Sequence, residues 1–259
     1  MDGMQTGALY PALDELDEER RIRTELACAY RLVDHFGWTE LIYGHLTARV
    51  PGPDHHFLIN PFGLNYDEVT ASNLVRIDLD GNVIEGDYEA NFAGFVIHSA
   101  IHMAGGDNNC VMHTHTRAGM AVAAVEEGLL PISMTSTTFF DDIAYHEYEG
   151  PSVYLDERER LLAALGEKKA MILRNHGLLT VGRTVAEAFA RLYRLERACQ
   201  VQVDAGAAGT LRVLSDDIAA RSGRDTNAFA GRESNEAMGG LEFAALMRKM
   251  DRKDPSYRD

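Results

Sequence analysis

The chain has 259 residues, of which 46% are hydrophobic and 25% are charged, and its formal net charge is -15. The composition is that of an ordinary globular protein. The acidic balance argues against nucleic acid and against an anionic membrane surface as partners, because both need clustered Lys and Arg. No stretch reaches the ~18 apolar residues of a membrane-spanning helix.

Cysteine usage and the N-terminus both bear on the compartment. Cys28, Cys110 and Cys199 lie far apart and have no CxxC spacing, so no disulfide framework is expected. The segment from Met1 to Glu19 is acidic and lacks the basic and apolar regions of a signal peptide. We therefore expect a cytoplasmic protein.

The first predicted element is an amphipathic helix from Asp17 to Phe36, in which apolar residues recur at helical spacing and after which Gly37 supplies a stop. A β-rich section follows, with a hairpin turn at Asp80-Gly81. The strands predicted there are 45–50, 57–59, 74–79 and 83–84.

Helices and strands alternate in the second half of the chain. Asp156 is placed to cap one helix, and Thr184 with Glu187 forms a capping-box pattern at the start of another. The predicted helices are 92–103, 117–125, 156–165, 184 to about 203, and about 233–249. The predicted strands are 110–115, 132–134, 143–145, 153–154, 171–173 and 178–181.

No repeat and no internal boundary divides the core. The pattern favours one α/β domain over residues 17–205, with an N-terminal arm at 1–16 and a C-terminal helical extension and tail at 206–259. Trp38 is expected to pack in the core, and Tyr257 to lie in a frayed terminus.

Two histidines lie two positions apart at the end of the apolar strand Cys110-Val111-Met112-His113-Thr114-His115. In a strand, residues i and i+2 point to the same face, so the imidazoles of His113 and His115 are spaced to share one metal ion. His176 follows a second apolar run, in Arg174-Asn175-His176-Gly177. Three imidazoles with an open fourth position are typical of a catalytic metal site.

Several blocks of the sequence, and the order in which they occur along the chain, resemble the class II aldolase/adducin family. Beyond the paired histidines and the Asn-His-Gly turn, the similar blocks are Gly44-His45-Leu46-Thr47-Ala48-Arg49, Ile59-Asn60-Pro61-Phe62-Gly63-Leu64 and Ile97-His98-Ser99-Ala100-Ile101-His102. The resemblance covers roughly residues 20–205, and the tail from Asp251 to Tyr257 is similar to that of the adducin-like bacterial branch.

The resemblance implies a three-layer αβα sandwich with a central, mostly antiparallel sheet. It also implies a homotetramer with sites at subunit interfaces. His113, His115 and His176 match the family's three metal ligands. The expected cofactor is a divalent metal ion, Zn²⁺ first, with Mn²⁺ or Fe²⁺ as alternatives because imidazole suits all three.

The chain departs from the family's sugar-phosphate aldolases at positions that carry their chemistry. Phe92, Ala93 and Gly94 stand where those enzymes have two serines and an acid/base glutamate. His45 and Phe62 stand where they have a phosphate-binding Asn and Thr. Phosphate needs many hydrogen-bond donors, so we expect an unphosphorylated small or aromatic hydroxy or keto acid. The predicted substrate-binding residues are His45, Asn60, Phe62, Gly63, Phe92 and Gly94.

Another group must move the proton if residue 94 has no carboxylate. His98 and His102, four positions apart on one helix face, are predicted catalytic residues, and Tyr145 is a third. His146 is a further candidate if its segment reaches the site. His98 has two other readings, as a partner that orients a ligand or as a fourth ligand.

Three functions remain open on the sequence. The leading one is a metal-dependent carbon–carbon lyase, acting by aldol cleavage or decarboxylation. The second is a non-haem iron oxygenase on a similar acid, since a three-histidine site with open positions binds Fe²⁺. The third is a non-catalytic, adducin-like assembly module.

Overall fold

A computed structural model describes Leu13 and residues 16–152, 154–232 and 238–259. Helices and strands alternate along this part of the chain. The helices are α1 (Glu18–His35), α2 (Phe92–Ala104), α3 (Arg117–Ala123), α4 (Met134–Thr137), α5 (Glu157–Leu165), α6 (Val185–Ala208), α7 (Asp216–Arg232) and α8 (Gly240–Lys253). The strands are β1 (His45–Arg49), β2 (Phe57–Ile59), β3 (Val75–Ile77), β4 (Val83–Glu85), β5 (Cys110–Thr114), β6 (Ala144–His146), β7 (Ala170–Leu173) and β8 (Gly177–Gly182).

The strands form one eight-stranded sheet in the order β4-β3-β2-β1-β5-β8-β7-β6. Neighbouring strands are antiparallel except β6 and β7, which are parallel. β5 lies near the middle of the sheet, between β1 and β8, and all five of its residues are buried. The predicted strand with the paired histidines is therefore a central strand.

Helices cover both faces of the sheet. Met112 belongs to a core that includes α1, α6 and α8, whereas its neighbour Val111 packs with Ile97 and Ile101 of α2 and with α5 on the other face. This period-two alternation produces three layers. The predicted αβα fold with a mostly antiparallel sheet is confirmed.

The strand register fixes which residues meet at the edge of the sheet. His45 of β1 pairs with His113 of β5, and Thr114 pairs with Leu178 of β8. The start of β1, the end of β5 and the turn between β7 and β8 therefore lie side by side. That edge holds the candidate site.

Three local predictions are wrong at positions where helices begin. No strand lies at 132–134, because Ser133 caps α4 with its side chain and a helix begins at Met134. Asp156 does not cap α5, because its carboxylate pairs with Arg160. At α6, Thr184 caps as expected, but the carboxylate of Glu187 accepts from the backbone of Arg183 and not from that of Thr184.

The C-terminal region holds more structure than its composition indicated. α7 was not predicted, and α8 begins at Gly240, while the predicted start at Glu233 lies outside the described residues. Tyr257 is fully buried in the same core as α1 and donates a hydrogen bond to Asp251 at 2.6 Å. The expectation of a frayed terminus there is wrong, because burying this aromatic ring fixes the last residues against α1.

Other predictions concern segments that lie partly outside the described residues. Val153 is not described, and Tyr154 is not in a strand. Most of the predicted arm at 1–16 is likewise outside the described residues. Trp38 is buried and stacks on Phe36 and Phe189, as predicted. Among the described helices, none has the length and apolarity needed to cross a membrane.

Candidate metal centre

His113 is the deepest member of the predicted histidine set. It is fully buried on β5, and its Nδ1–H donates to the carbonyl oxygen of Leu178 at 2.9 Å. That bond leaves Nε2 as the atom with a free lone pair. The sheet therefore fixes both the orientation and the tautomer of this imidazole.

His115 leaves the sheet just beyond the end of β5, and its partner is a carboxylate. Nδ1 of His115 lies 2.6 Å from Oε2 of Glu40. A carboxylate that accepts the Nδ1 proton leaves Nε2 bare and makes the ring a stronger ligand. Glu40 lies in the segment between α1 and β1, where no periodic pattern of residues indicates a partner for His115.

His176 lies in the three-residue turn between β7 and β8, after Asn175, whose φ of 54° Asn tolerates better than most residues. Gly177 follows because a side chain cannot fit there. A Cβ at this position would lie 2.4 Å from the carbonyl oxygen of Thr114. The Asn-His-Gly pattern thus lets β8 approach β5 closely and turns His176 towards the paired histidines.

The three imidazoles, which we call the histidine triad, converge through their Nε2 atoms. Nε2 of His115 lies 2.8 Å from Nε2 of His113 and 3.0 Å from Nε2 of His176. The ligand atoms of all three lie within 4.8 Å of one another. Ligands at ~2.0–2.1 Å from a tetrahedral ion are about 3.3 Å apart, so the spacing is close to that of a metal site.

The donor chemistry of the triad favours a cation. The Nδ1 protons of His113 and His115 are directed to Leu178 and Glu40, so their Nε2 atoms face each other as two acceptors. Two facing lone pairs repel unless a proton or a metal ion lies between them. Burial, and next the neighbouring imidazoles, hold the pKa of His113 well below its usual range, and burial lowers that of His176 to about 4. Neutral imidazoles without a shared proton form a donor set that fits a divalent ion.

A second group of polar side chains lies behind the triad, between β1 and α2. Nδ1 of His45 lies 3.0 Å from Nε2 of His98. The hydroxyl of Thr47 lies 2.6 Å from Nδ1 of His98 and 2.8 Å from Nε2 of His102. We call these four residues the histidine ladder. The ring of His45 joins it to the triad, with its centroid 5.1 Å from that of His113.

The ladder is sealed from solvent except at His45. His98, Thr47 and His102 have no exposed surface, and His45 is 3% exposed. His98 and His102 expose no surface that a substrate could contact, and this burial argues against their predicted role as catalytic groups. The reading of His98 as a partner that orients another residue agrees with its contacts.

Gly94 of α2 faces the ring of His45. A Cβ at position 94 would lie 2.5 Å from Cδ2 and 2.7 Å from Cγ of that ring. Any side chain at 94 would displace the imidazole, so the position of the His45 ring requires a glycine at 94.

Of the remaining predicted substrate-binding residues, Asn60, Phe62 and Gly63 lie in the loop after β2, and Phe92 is the first residue of α2. Ala48 pairs with Leu58, so the chain after β2 runs back towards His45. Asn60 there is buried and its Oδ1 accepts from the hydroxyl of Tyr30 at 2.9 Å, which is a packing role. Of the other three, Phe62 is 37% exposed, Gly63 has a φ of 104°, and Phe92 is 55% exposed.

Tyr145 does not face the triad. Its hydroxyl accepts from the backbone of Leu129 at 3.0 Å, and the guanidinium of Arg174 lies 4.4 Å above its ring. This placement argues against a direct catalytic role. His146 is buried against Glu157, with 3.3 Å between Nε2 and Oε1.

Tyr148, three residues further on, contacts the triad instead. It is 56% exposed, and its ring centroid is 6.4 Å from that of His176. Because β6 runs parallel to β7 with His146 opposite Leu173, the chain after β6 reaches the turn that carries His176. The sequence does not reveal that register, and therefore Tyr145 and not Tyr148 was the predicted residue.

The profile of the family described as "Class II Aldolase and Adducin N-terminal domain" matches residues 24–203. The chain therefore belongs to the class II aldolase and adducin family.

Two solved structures extend this comparison over more than nine-tenths of the chain. A crystal structure of an aldolase II superfamily protein from Pseudomonas syringae is 47% identical, covers 95% of this chain and 98% of that one, and has a TM-score of 0.87. An L-fuculose 1-phosphate aldolase from Glaciozyma antarctica is 32% identical, covers 96% and 98% of the two chains, and has a TM-score of 0.80.

The chain is also similar to adducins, the other branch of the family. Alpha-adducin of Mus musculus is 44% identical over 247 residues, which is 90% of this chain and 33% of that protein. The similarity thus extends to a much longer protein that carries a region of this kind.

Proposed function

We propose that this chain is a metal-dependent carbon–carbon lyase that acts on an unphosphorylated hydroxy or keto acid, by aldol cleavage or decarboxylation. The observation that carries the proposal is the convergence of three Nε2 atoms at one sheet edge, two of them with Nδ1 hydrogen-bonded elsewhere. Family membership supports lyase chemistry as the broader class.

His113, His115 and His176 would hold the ion, and Zn²⁺ is the first candidate because three imidazoles with an open position suit it. An ion at this site supplies a Lewis acid for a substrate carbonyl or carboxylate. Glu40 keeps His115 in the ligand tautomer. Tyr148 presents an exposed phenol beside His176, where it can hydrogen-bond a bound acid.

The preference for an unphosphorylated substrate rests on charge and shape. Among the described residues, the side chains that hydrogen-bond to the triad or pair with its rings are imidazoles, a carboxylate and a phenol, and none of them is cationic. A phosphate needs donors or cations to replace its hydration. Phe62 and Phe92 instead give the edge exposed apolar surface, which suits an organic acid.

A non-catalytic assembly role is the second candidate, and the 44% identity to alpha-adducin favours it. It requires no metal ion for function. The intact triad favours the enzyme, because a purely structural module has no need for facing unprotonated Nε2 atoms. We also propose a homo-oligomer with sites near subunit interfaces.

The experiment is a panel of aldol cleavages and decarboxylations of 2-hydroxy and 2-keto acids, run with and without chelator and with oxygen uptake recorded. L-fuculose 1-phosphate belongs in the panel because of the Glaciozyma relative. We expect turnover of an unphosphorylated acid that chelator abolishes and zinc restores. Turnover that survives chelation contradicts the proposal, oxygen consumption with iron indicates the oxygenase, and cleavage of the sugar phosphate alone overturns the substrate class.

A further inference from the structure

A groove of about 530 Å³ lies between α6, α8 and the end of α1. None of the residues that line it belongs to the histidine triad or to the histidine ladder. Its volume lies in the range of small-molecule sites. We call it the α6–α8 groove, and its main apolar lining residues are Phe36, Ala186, Phe189, Tyr193, Phe243 and Leu246.

Aromatic rings form the inner wall of the α6–α8 groove. Phe189 and Phe243 belong to the core, are 1% and 3% exposed, and contact each other with ring centroids 5.6 Å apart. The half-buried rings of Phe36 and Tyr193 meet further out, with centroids 5.4 Å apart. Surfaces of this kind bury the apolar part of a ligand and exclude water from it.

The groove is long in one direction. On α8 its lining runs from Gly239 to Lys249, which is roughly 15 Å along a helix. At the Gly239 end the two helices close in on each other, since a Cβ on Gly239 would lie 2.5 Å from Cβ of Ala190. The charge of Arg194 at this end is balanced by Glu242 at 3.0 Å. A long apolar groove that closes at one end accommodates a linear chain.

The other end of the groove carries positive charge. Nζ of Lys249 lies 6.0 Å from the ring centroid of Phe36, and among the described residues no carboxylate forms an ion pair with this lysine. Lys253, one turn further along α8, donates to Nδ1 of His35 at 3.3 Å. Burial first, and then the ammonium groups of Lys249 and Lys253, lower the pKa of His35, whereas the carboxylate of Asp34 acts in the opposite direction. Two ammonium groups and one carboxylate leave this end with a net positive charge.

We propose that the α6–α8 groove binds a linear fatty acid of medium chain length, with its alkyl chain between the aromatic rings and its carboxylate beside Lys249. The alkyl chain is the part that the rings remove from water, and the carboxylate is the group that an unpaired ammonium attracts. A cationic amphiphile meets Lys249 and Lys253 as like charges. The site does not depend on the lyase assignment.

Trp38 provides a local reporter of binding. It is the single tryptophan of the chain and is buried. Its ring centroid lies 4.9 Å from that of Phe36 and 5.6 Å from that of Tyr193. A chain that packs against these two rings therefore changes the surroundings of the tryptophan. Its emission locates a bound ligand at the groove.

The first test is calorimetry on the full chain, both zinc-loaded and chelator-treated, with the emission of Trp38 followed in parallel. The ligands are decanoate, octanoate, octan-1-ol and octyltrimethylammonium, below the concentrations at which they form micelles. We expect one chelator-insensitive site per chain and an emission change with the same midpoint. Decanoate should bind about fifteenfold more tightly than octanoate, as for two more buried methylene groups. Octanoate should bind about threefold more tightly than octan-1-ol, as for one exposed ion pair, and the cation should bind most weakly.

Several results of this titration contradict the proposal. They are equal affinities for octanoate and octyltrimethylammonium, no gain in affinity with chain length, several ligands per chain, and binding without a change in the emission of Trp38. Binding that chelator abolishes places the carboxylate at a metal ion, and it overturns the proposal as well.

The second test reverses the charge at the positive end. Lys249→Glu alters an exposed side chain, so the fold should be retained. The preference for octanoate over octyltrimethylammonium is expected to fall roughly tenfold, since the affinity of each ligand changes by about the threefold of one exposed ion pair. The matched control is Arg221→Glu, at an exposed position of α7 outside the groove, which should keep the preference. An unchanged preference in Lys249→Glu overturns the placement of the carboxylate.

A third variant blocks the groove itself. Leu246→Asp places a carboxylate among the aromatic rings and should abolish measurable binding of decanoate. If the unmodified chain binds none of the ligands, and Lys249→Glu or Leu246→Asp changes its oligomeric state in sedimentation, another copy of the chain covers the groove. That outcome overturns the fatty-acid site.

Discussion

The histidine triad and the histidine ladder use the same side chain at the same edge of one sheet, but they are built in opposite ways. In the triad, the Nδ1 protons of two rings are directed to Leu178 and Glu40, and the Nε2 atoms face each other. In the ladder, each contact joins two ring nitrogens, or a ring nitrogen and the hydroxyl of Thr47, and each can pair one donor with one acceptor. The first arrangement is completed by a cation, and the second is complete without one. Proximity of histidines alone therefore does not define a metal site.

The largest effect is expected from removing one member of the triad. His113→Ala takes away a fully buried ligand at the centre of the sheet edge. We expect the unmodified protein to bind about one equivalent of zinc and the variant to lose it. Activity is expected to fall by at least about a thousandfold, or ~4 kcal/mol. Metal content by mass spectrometry and turnover are the measurements.

The control for this variant is His55→Asn, at an exposed histidine with a φ of 57° that Asn tolerates. It should keep metal and activity. If His113→Ala also retains a full equivalent of zinc, the triad is not the metal site.

A smaller effect is expected from Glu40→Gln. The amide no longer accepts the Nδ1 proton of His115 as a charged group, so the ligand becomes less basic and less well oriented. Loss of such a partner typically weakens metal binding 10–100-fold. Competition with a zinc-binding dye measures the affinity.

The matched variant is Glu159→Gln, an exposed glutamate on α5. Equal zinc affinities in the two variants would mean that the short contact between Glu40 and His115 does not support the ligand.

The buried histidines of the ladder are expected to make the free energy of unfolding depend on pH. Burial lowers the pKa of His102 to about 3 in the folded chain, against about 6.5 when unfolded. The stabilisation from this group is therefore complete above pH 6.5 and is lost as the pH falls towards 3. The expected slope is about 1.4 kcal/mol per pH unit for one such group.

Urea unfolding with chelator present, at several pH values between 7 and 5, measures this slope. His102→Leu should show a shallower decrease than the unmodified chain. Identical slopes would mean that His102 takes up a proton without unfolding, which the sealed ladder does not allow.

The structure follows the sequence pattern where one local rule decides it. Helical spacing predicts α1, and period-two alternation places His113 and His115 together. Local patterns mislead where packing decides: the apolar pattern at 132–134 predicts a strand, but the Ser133 cap begins a helix. Tyr257 was expected in a frayed terminus, but the core under α1 buries it.

By itself, the sequence determined the family, the alternation of helices and strands, and the two histidines that a strand must turn to one face. Only the tertiary structure decided that Glu40 orients His115, that Tyr148 and not Tyr145 borders the triad, and that His45 fills the space above Gly94. The reason is physical. Local pattern fixes the face of an element on which a side chain lies, whereas contacts between residues 40 and 115, or 45 and 94, depend on the register and packing of distant segments.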